Sequence, residues 1–554
     1  MQPTRYTPEL IEKYSNKGLW DSLTLSHYWD INAEKYPEQE AVVDSRGRFT
    51  WRQAKDWIDR AALSMIDLGI GRDEVVAIQL PNFNELAMLR VALEKAGILY
   101  SPLLRSLRQT EMEYILRYLD AVAIVIPSRY ADFDHFKMVQ DLKPKLPNLK
   151  HILVVGDEVP DKATRLNRLM REKHLNTKSA GILESRRHKA TEVSLIGHTS
   201  GTTGMPKFVE FSPCARLVAG HGIARLCNLT NKDIVAALGP ASGGPNNCGY
   251  FGAPVAGSKL TMLEVFQAKP ALELIQKERV TVACVSPAHL AMMLAEPDFN
   301  QYNLKSLRFL FSAGAPLTYE LGRESEQRFG CPVLNCLGAV DCGGLISTYP
   351  DSTQDERLLT VGKPFASTEL KLVDEKGKEV APGEVGEILL GGPSCAGGYF
   401  KDPAATWQSW TKDGWFKMGD LGRLDSKGNL VMVGRKKDLI IRGGQNIYPL
   451  EVENLLHAHP KVAGVAIVGM PDTVMGEKAC AFVVPKPGQT FNFEDMISFL
   501  KKQKIASYKL PERLEIIDKI PLAAEQKPDK KALRATIAEK LKAEGRDVPP
   551  IIAK

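Results

Sequence analysis

Apolar positions in the first two hundred residues follow two alternating rhythms. Residues 41–44, 75–80 and 121–126 are short continuous apolar runs of the kind buried strands show. Between them lie runs at helical spacing. Ala54, Ile58, Ala61 and Met65 recur on one helical face behind Trp51, with Thr50 and Gln53 placed as a capping box and Gly69 as the stop. Residues 84–96 and 111–119 carry the same helical spacing. Strand and helix alternating in this order predict parallel sheets layered with helices.

From about residue 356 to 434 the pattern changes. Short strands at 369–373, 385–390 and 430–433 are separated by the turn sequences Asp374-Glu375-Lys376-Gly377 and Lys427-Gly428-Asn429, which predicts a β-rich subdomain. A basic stretch, Gly434-Arg435-Lys436-Lys437-Asp438, leads into a compact α+β unit. That unit has a helix from Pro449, strands at 462–468 and 479–484, and a helix at 493–502. The domain boundary is placed near Lys437, giving an N-terminal domain of residues 1–436 and a C-terminal domain of residues 437–554.

Composition narrows the class. The 554 residues are 44% hydrophobic and 25% charged, which excludes a mostly disordered or collagenous chain. A net charge of +6, from 72 basic and 66 acidic residues, is too mild to argue for nucleic acid or a membrane surface. Nine cysteines without a CxxC pair give zinc and thioredoxin-like readings no support and suggest a reduced, cytoplasmic setting. No run approaches the ~20 apolar residues of a membrane span, and the opening residues lack the basic-then-apolar order of a secretory signal.

One segment carries candidate chemistry: His198-Thr199-Ser200-Gly201-Thr202-Thr203-Gly204-Met205-Pro206-Lys207 follows the apolar patch 193–196. Gly201 and Gly204 permit close backbone approach to an anion. The hydroxyls of Thr199, Ser200, Thr202 and Thr203, with successive N–H groups, suit phosphate oxygens, and Lys207 adds positive charge. The spacing is not that of a Walker A loop.

On this loop the chain resembles the adenylate-forming superfamily of acyl- and aryl-CoA synthetases, carrier-loading adenylation domains and luciferases, and the resemblance runs over nearly the whole chain. It implies a large N-terminal domain of two layered α/β subdomains plus a β-barrel-like subdomain, with a small mobile α+β C-terminal domain. Further motifs follow in order. Ser312-Ala313-Gly314-Ala315-Pro316 is similar to the loop whose Gly314, Ala315 and Pro316 flank adenine. Asn335-Cys336-Leu337-Gly338-Ala339-Val340-Asp341 stands where the family has aromatic-Gly-x-Thr-Glu. Leu337 and Val340 depart from that pattern, while Asp341 keeps a carboxylate for Mg²⁺. Trp415-Phe416-Lys417-Met418-Gly419-Asp420 departs at Met418, and its Asp420, with Arg435, matches the ribose-binding pair. Lys437 matches the interdomain hinge, and Gly443 and Gly444 match the loop along which the pantetheine thiol enters. Lys527, preceded by the departure Gln526, matches the lysine that bridges carboxylate and α-phosphate.

The resemblance implies an ATP- and Mg²⁺-dependent ligase that joins a carboxylic acid to coenzyme A through an acyl-adenylate. Two alternatives stand beside it: an enzyme loading a carrier-protein pantetheine, and a non-catalytic nucleotide-binding protein suggested by the four departures. Gly243 and Gly244 occupy the place where aryl-acid relatives carry a His-Asn pair. The acyl pocket is therefore expected to lack that amide and to take an aromatic, alicyclic or medium-chain acid. His221 and Cys248, nearby in sequence, are expected to be packed residues.

Overall fold

The computed structural model describes residues 1–156, 159–161, 163–171, 175–199, 206–240, 246–365, 367–522 and 528–546. Local signals act where the sequence places them. The Gln53 amide donates to the Thr50 hydroxyl at 3.3 Å, and the Thr50 amide donates to the Gln53 side chain at 2.9 Å; together they start the helix Trp51–Asp67. Trp51, Ala54, Ile58, Ala61 and Met65 form its buried stripe. The apolar run at 75–80 makes a shorter strand, Val75–Ile78. Beyond it the buried Gln79 turns its amide to the carbonyls of Leu104 and Leu107, at 3.1 Å each, so burial outlasts the ladder.

Two large sheets form the body of the molecule. At the centre of a nine-stranded sheet, Ile234–Ala237, Val282–Val285, Phe309–Ala313 and Val333–Gly338 run parallel. In an eight-stranded sheet, Leu99–Pro102, Val75–Ile78, Ala123–Pro127 and His151–Val155 run parallel. That sheet ends in the hairpin Leu195–His198 and Phe208–Phe211, with Gly398–Tyr399 added at its edge. Val75–Ile78, Ala123–Pro127 and Val282–Val285 are buried along their whole lengths, as strands covered by helices on both faces must be.

The β-rich segment is a four-stranded antiparallel sheet of Glu369–Val373, Gly386–Gly391, Phe416–Leu424 and Leu430–Arg435. Its outer strands do not pair with each other among the described residues, so the barrel-like expectation resolves into an open sheet.

The small C-terminal part is a five-stranded sheet built on the long pair Val462–Asp472 and Gly476–Pro485. Alternating side chains fill two separate cores. Ile467 and Ala481 face Leu456, Met496 and Leu500, whereas Val468 and Phe482 face Leu533 and Ile537 of the helix Lys530–Ala543. Among the described residues no helix is long and apolar enough to cross a membrane. All nine cysteines are free and buried.

Candidate active site

The candidate anion loop joins two antiparallel strands. The first strand is Leu195–His198, two residues further along than the apolar patch at 193–196 suggests, because the polar His198 is itself buried and paired opposite Phe208. Thr199 and Lys207 close the neck. The Thr199 amide donates to the Lys207 carbonyl at 2.9 Å, and the Lys207 amide donates to the Thr199 hydroxyl at 3.2 Å. Ser200, Gly201, Thr202, Thr203 and Gly204 lie outside the described residues. Burial lowers the His198 pKa to about 4, and its Nδ1 has no hydrogen-bond partner among the described residues. The imidazole is therefore neutral at pH 7.

Lys207 is exposed and reaches toward the edge strand Gly398–Tyr399, its Nζ 4.5 Å from the ring centroid of Tyr399. The Tyr399 hydroxyl donates to Asp341 Oδ1 at 2.9 Å. Burial pushes the Asp341 carboxyl upward, and this is opposed by the Tyr399 hydrogen bond and by the charges of Lys207 and Arg435. Cation, ring and carboxylate thus meet where the two large sheets adjoin: Lys207 and Tyr399 come from the eight-stranded sheet, and Asp341 follows Val333–Gly338 of the nine-stranded one.

Ser312 and Ala313 pair in parallel register with Asn335 and Cys336. Gly314, Ala315 and Pro316, all exposed, therefore leave the sheet at the same end as Leu337 and Gly338. This is the carboxyl end of neighbouring parallel strands, where open α/β sheets bind ligands. Gly314 has φ +96°, which glycine adopts without strain. Asn335 is committed to the fold: its side-chain amide donates to the Thr360 carbonyl at 2.9 Å, and its N–H donates to the Thr348 hydroxyl at 2.9 Å. Cys336 is buried, which pushes its thiol pKa up. Asp420 and Arg435 stand opposite each other on adjacent antiparallel strands, with Arg435 Nε 3.3 Å from Asp420 Oδ1. The carboxylate is buried and the guanidinium exposed.

After Leu430–Arg435 the chain makes one 3₁₀ turn, Lys436–Asp438. Burial, with the neighbouring charge of Arg435, lowers the pKa of the Lys437 ammonium. Arg534 holds this turn from the last helix, donating to the Lys437 carbonyl at 3.3 Å and pairing with Asp438 at 2.5 Å. Gly443 and Gly444 form a two-residue turn between Ile440–Arg442 and Gln445–Ile447, at φ +54° and +81°. Two successive positive φ values are what a type I′ hairpin turn requires. A Cβ at Gly443 would lie 2.5 Å from Met475 Cε.

The AMP-binding enzyme family matches residues 29–400, and the AMP-binding enzyme C-terminal domain matches residues 451–527. This chain belongs to the AMP-binding enzyme family. It is 32% identical to the salicylyl-CoA synthase / salicylate adenylyltransferase of Streptomyces sp, over 96% of this chain and 97% of that one. It is 30% identical to the medium-chain fatty-acid–CoA ligase of Escherichia coli (strain K12), over 95% and 93% respectively. The crystal structure of the anthranilate CoA ligase AuaEII in complex with anthranoyl-AMP superposes with a TM-score of 0.84 at 25% identity, covering 94% of this chain and 98% of that one. The mixed α/β architecture, with its large N-terminal and small C-terminal domains, is the one shared by these adenylate-forming ligases.

For an AMP-binding enzyme, two side chains are prominent here that sequence reasoning passed over. Tyr399 bears no motif signal of its own; only the fold brings it to Asp341. Asn246 is buried, with its amide nitrogen donating to the carbonyls of Gly239 and Pro240 at 2.6 and 2.7 Å, and its Oδ1 has no partner among the described residues. Asn246 follows Gly243 and Gly244 closely in sequence, and the Asn246-Asn247 pair was its only sequence signal. Gly243 and Gly244 themselves, and Lys527, lie outside the described residues. His221 and Cys248 are packed: the His221 ring shares a hydrogen bond with the Tyr28 hydroxyl at 2.9 Å, and Cys248 is fully buried.

Asp341 fits a magnesium site. Mg²⁺ commonly takes one or two protein carboxylates and completes its shell with water and phosphate oxygens. A single half-buried carboxylate, bonded to Tyr399 and acted on by the charge of Lys207, offers this, and no group of three metal-ligating side chains occurs among the described residues.

Proposed function

We propose that this chain is an ATP-dependent carboxylic acid–CoA ligase acting on an aromatic, alicyclic or medium-chain acid. The observation that carries the reading is the convergence of Lys207 and Asp341 at the neck of the anion loop, in a chain of the adenylate-forming family. We place the domain boundary at Lys437, with residues 1–436 holding the nucleotide and 437–554 carrying Lys527 and the Gly443–Gly444 turn.

In the first half-reaction a carboxylate oxygen of the acid attacks the α-phosphorus of ATP, and pyrophosphate leaves. Two anions must meet while negative charge grows on phosphoryl oxygens, so the barrier is electrostatic. Lys207 and the loop Thr199–Gly204 hold the β- and γ-phosphates. Asp420 accepts hydrogen bonds from the ribose hydroxyls, and Arg435 donates to ribose or phosphate oxygens. Gly314, Ala315 and Pro316, with Leu337, flank the base. Lys527 orients the acid and stabilises the developing charge. Asp341 would hold Mg²⁺, which would supply charge neutralisation of the phosphates.

In the second half-reaction the thiol sulfur of coenzyme A attacks the acyl carbonyl, AMP leaves, and the thiol proton passes to solvent. Lys527 is then no longer needed, whereas the Gly443–Gly444 turn lines the thiol's route. One small domain cannot present both surfaces at once, so it turns about Lys437 between the steps.

The test is acid-dependent exchange of labelled pyrophosphate into ATP over a panel of acids, followed by thioester formation with coenzyme A. Exchange with thioester formation is expected. Exchange without it, restored by a pantetheinylated carrier protein, replaces coenzyme A by a carrier as acceptor. No exchange with any acid refutes the ligase reading and leaves a nucleotide-binding protein.

A further inference from the structure

The geometry points to Tyr399 as the positioning residue that sets Lys207 and Asp341 at a fixed separation for MgATP. This inference rests on the phosphate and magnesium roles proposed above for those two residues. Lys207 projects from a hairpin neck on a flexible four-carbon stem, and Asp341 sits in a turn between strands; neither placement alone fixes a charged atom. Tyr399 contacts both. Its ring face, the negative end of an aromatic quadrupole, meets the ammonium at 4.5 Å. Its hydroxyl donates to Asp341 Oδ1 at 2.9 Å, and a carboxylate, with about four acceptor sites, keeps capacity for a cation.

The tyrosine is itself held rigidly. It is 3% exposed, pairs with Val209 across the sheet edge, and donates its backbone N–H to the Thr406 hydroxyl at 2.8 Å. Its ring stands edge-on to Trp410 at 5.1 Å. Because Val209 lies on the strand that leads away from Lys207, the ring moves with the anion loop. The hydroxyl is then a direct polar link from that hairpin to the carboxylate of the other sheet. Partners that orient a metal ligand typically change metal affinity 10–100-fold when removed.

The experiment measures equilibrium binding of ATP by calorimetry across a Mg²⁺ titration, with thermal unfolding as the fold control. Tyr399→Phe keeps the ring and loses the hydroxyl. It is expected to raise the Mg²⁺ concentration for half-maximal binding by roughly tenfold, with ATP affinity in the absence of Mg²⁺ unchanged within about twofold. Tyr399→Leu loses both contacts and is expected also to weaken Mg²⁺-free ATP binding by about fivefold. If Tyr399→Leu does not fold, the phenylalanine variant decides alone. An unchanged Mg²⁺ dependence in Tyr399→Phe, with Asp341→Asn abolishing that dependence, overturns the inference and leaves the proposed function standing. A wild-type chain that binds no ATP overturns both.

Discussion

Asp420→Asn separates a nucleotide-binding role from a structural one by magnitude. In the structure the Asp420 side chain is 12% exposed and its Arg435 partner 43% exposed, at 3.3 Å. A pair open to solvent on one side contributes about 0–1 kcal/mol, and asparagine preserves the shape and one oxygen. The loss in folding stability is therefore expected to be about 1 kcal/mol or less. Binding is another matter. A carboxylate accepting from two ribose hydroxyls makes two charge-assisted hydrogen bonds, each worth about 1.5–3 kcal/mol. The amide keeps one weaker acceptor and turns a donor toward the second hydroxyl. A loss of about 3 kcal/mol follows, a rise of roughly 100-fold in KM for ATP. Pyrophosphate exchange as a function of ATP, with urea unfolding of the same samples, reads both quantities. Wild-type enzyme given 2′-deoxy-ATP should lose part of the same energy, and the variant should not lose it again. An unchanged KM with intact folding would show that Asp420 only braces its sheet.

Three further outcomes are expected. Lys527→Ala should cut pyrophosphate exchange by at least about 100-fold yet spare thioester formation from a supplied acyl-adenylate; equal losses in both assays contradict the assignment. Gly343→Ala should destabilise the fold by about 3 kcal/mol in urea unfolding: Gly343 has φ +74°, and a Cβ would lie 2.0 Å from Arg216 Nη2 and 2.7 Å from the Ser394 carbonyl, so a cost below about 1 kcal/mol refutes the packing account. Burial holds His198 and His289 at a pKa of about 4 against an ordinary 6.5, so between those values the unfolded chain binds protons that the native one does not. Stability should then fall as pH drops from 6.5 toward 4, and an unfolding midpoint at pH 5 equal to that at pH 7 runs against this.

Elements whose signals are local were legible in the sequence. Thr50 and Gln53 close their capping box, and Glu369–Val373 and Phe493–Lys502 begin and end where their turns and spacing place them. Elements shaped by partners were less legible. His198 reads as a loop residue but is a strand residue, since only the neighbouring strands reveal that its ring is buried. The order of the two large sheets, with strands far apart in sequence lying side by side, leaves no periodic trace. The same holds for the site. Thr199, Lys207, Asp341, Asp420 and Arg435 stand out within short ordered motifs. Tyr399 and Asp341, 58 residues apart, meet through tertiary pairing that no local pattern encodes.

The seam between the two large sheets acts as a ruler for the charges it carries. Val340, next to Asp341, packs within 3.8 Å of where a side chain would begin at Gly197 on the opposing strand, and Phe211 closes that space at 2.9 Å. Phe211 is buried and Val340 packs against the same apolar core at this seam. The spacing between an ammonium and a carboxylate is thus inherited from apolar packing behind them, and methyl groups that never touch a nucleotide help to set how far apart its counter-charges stand.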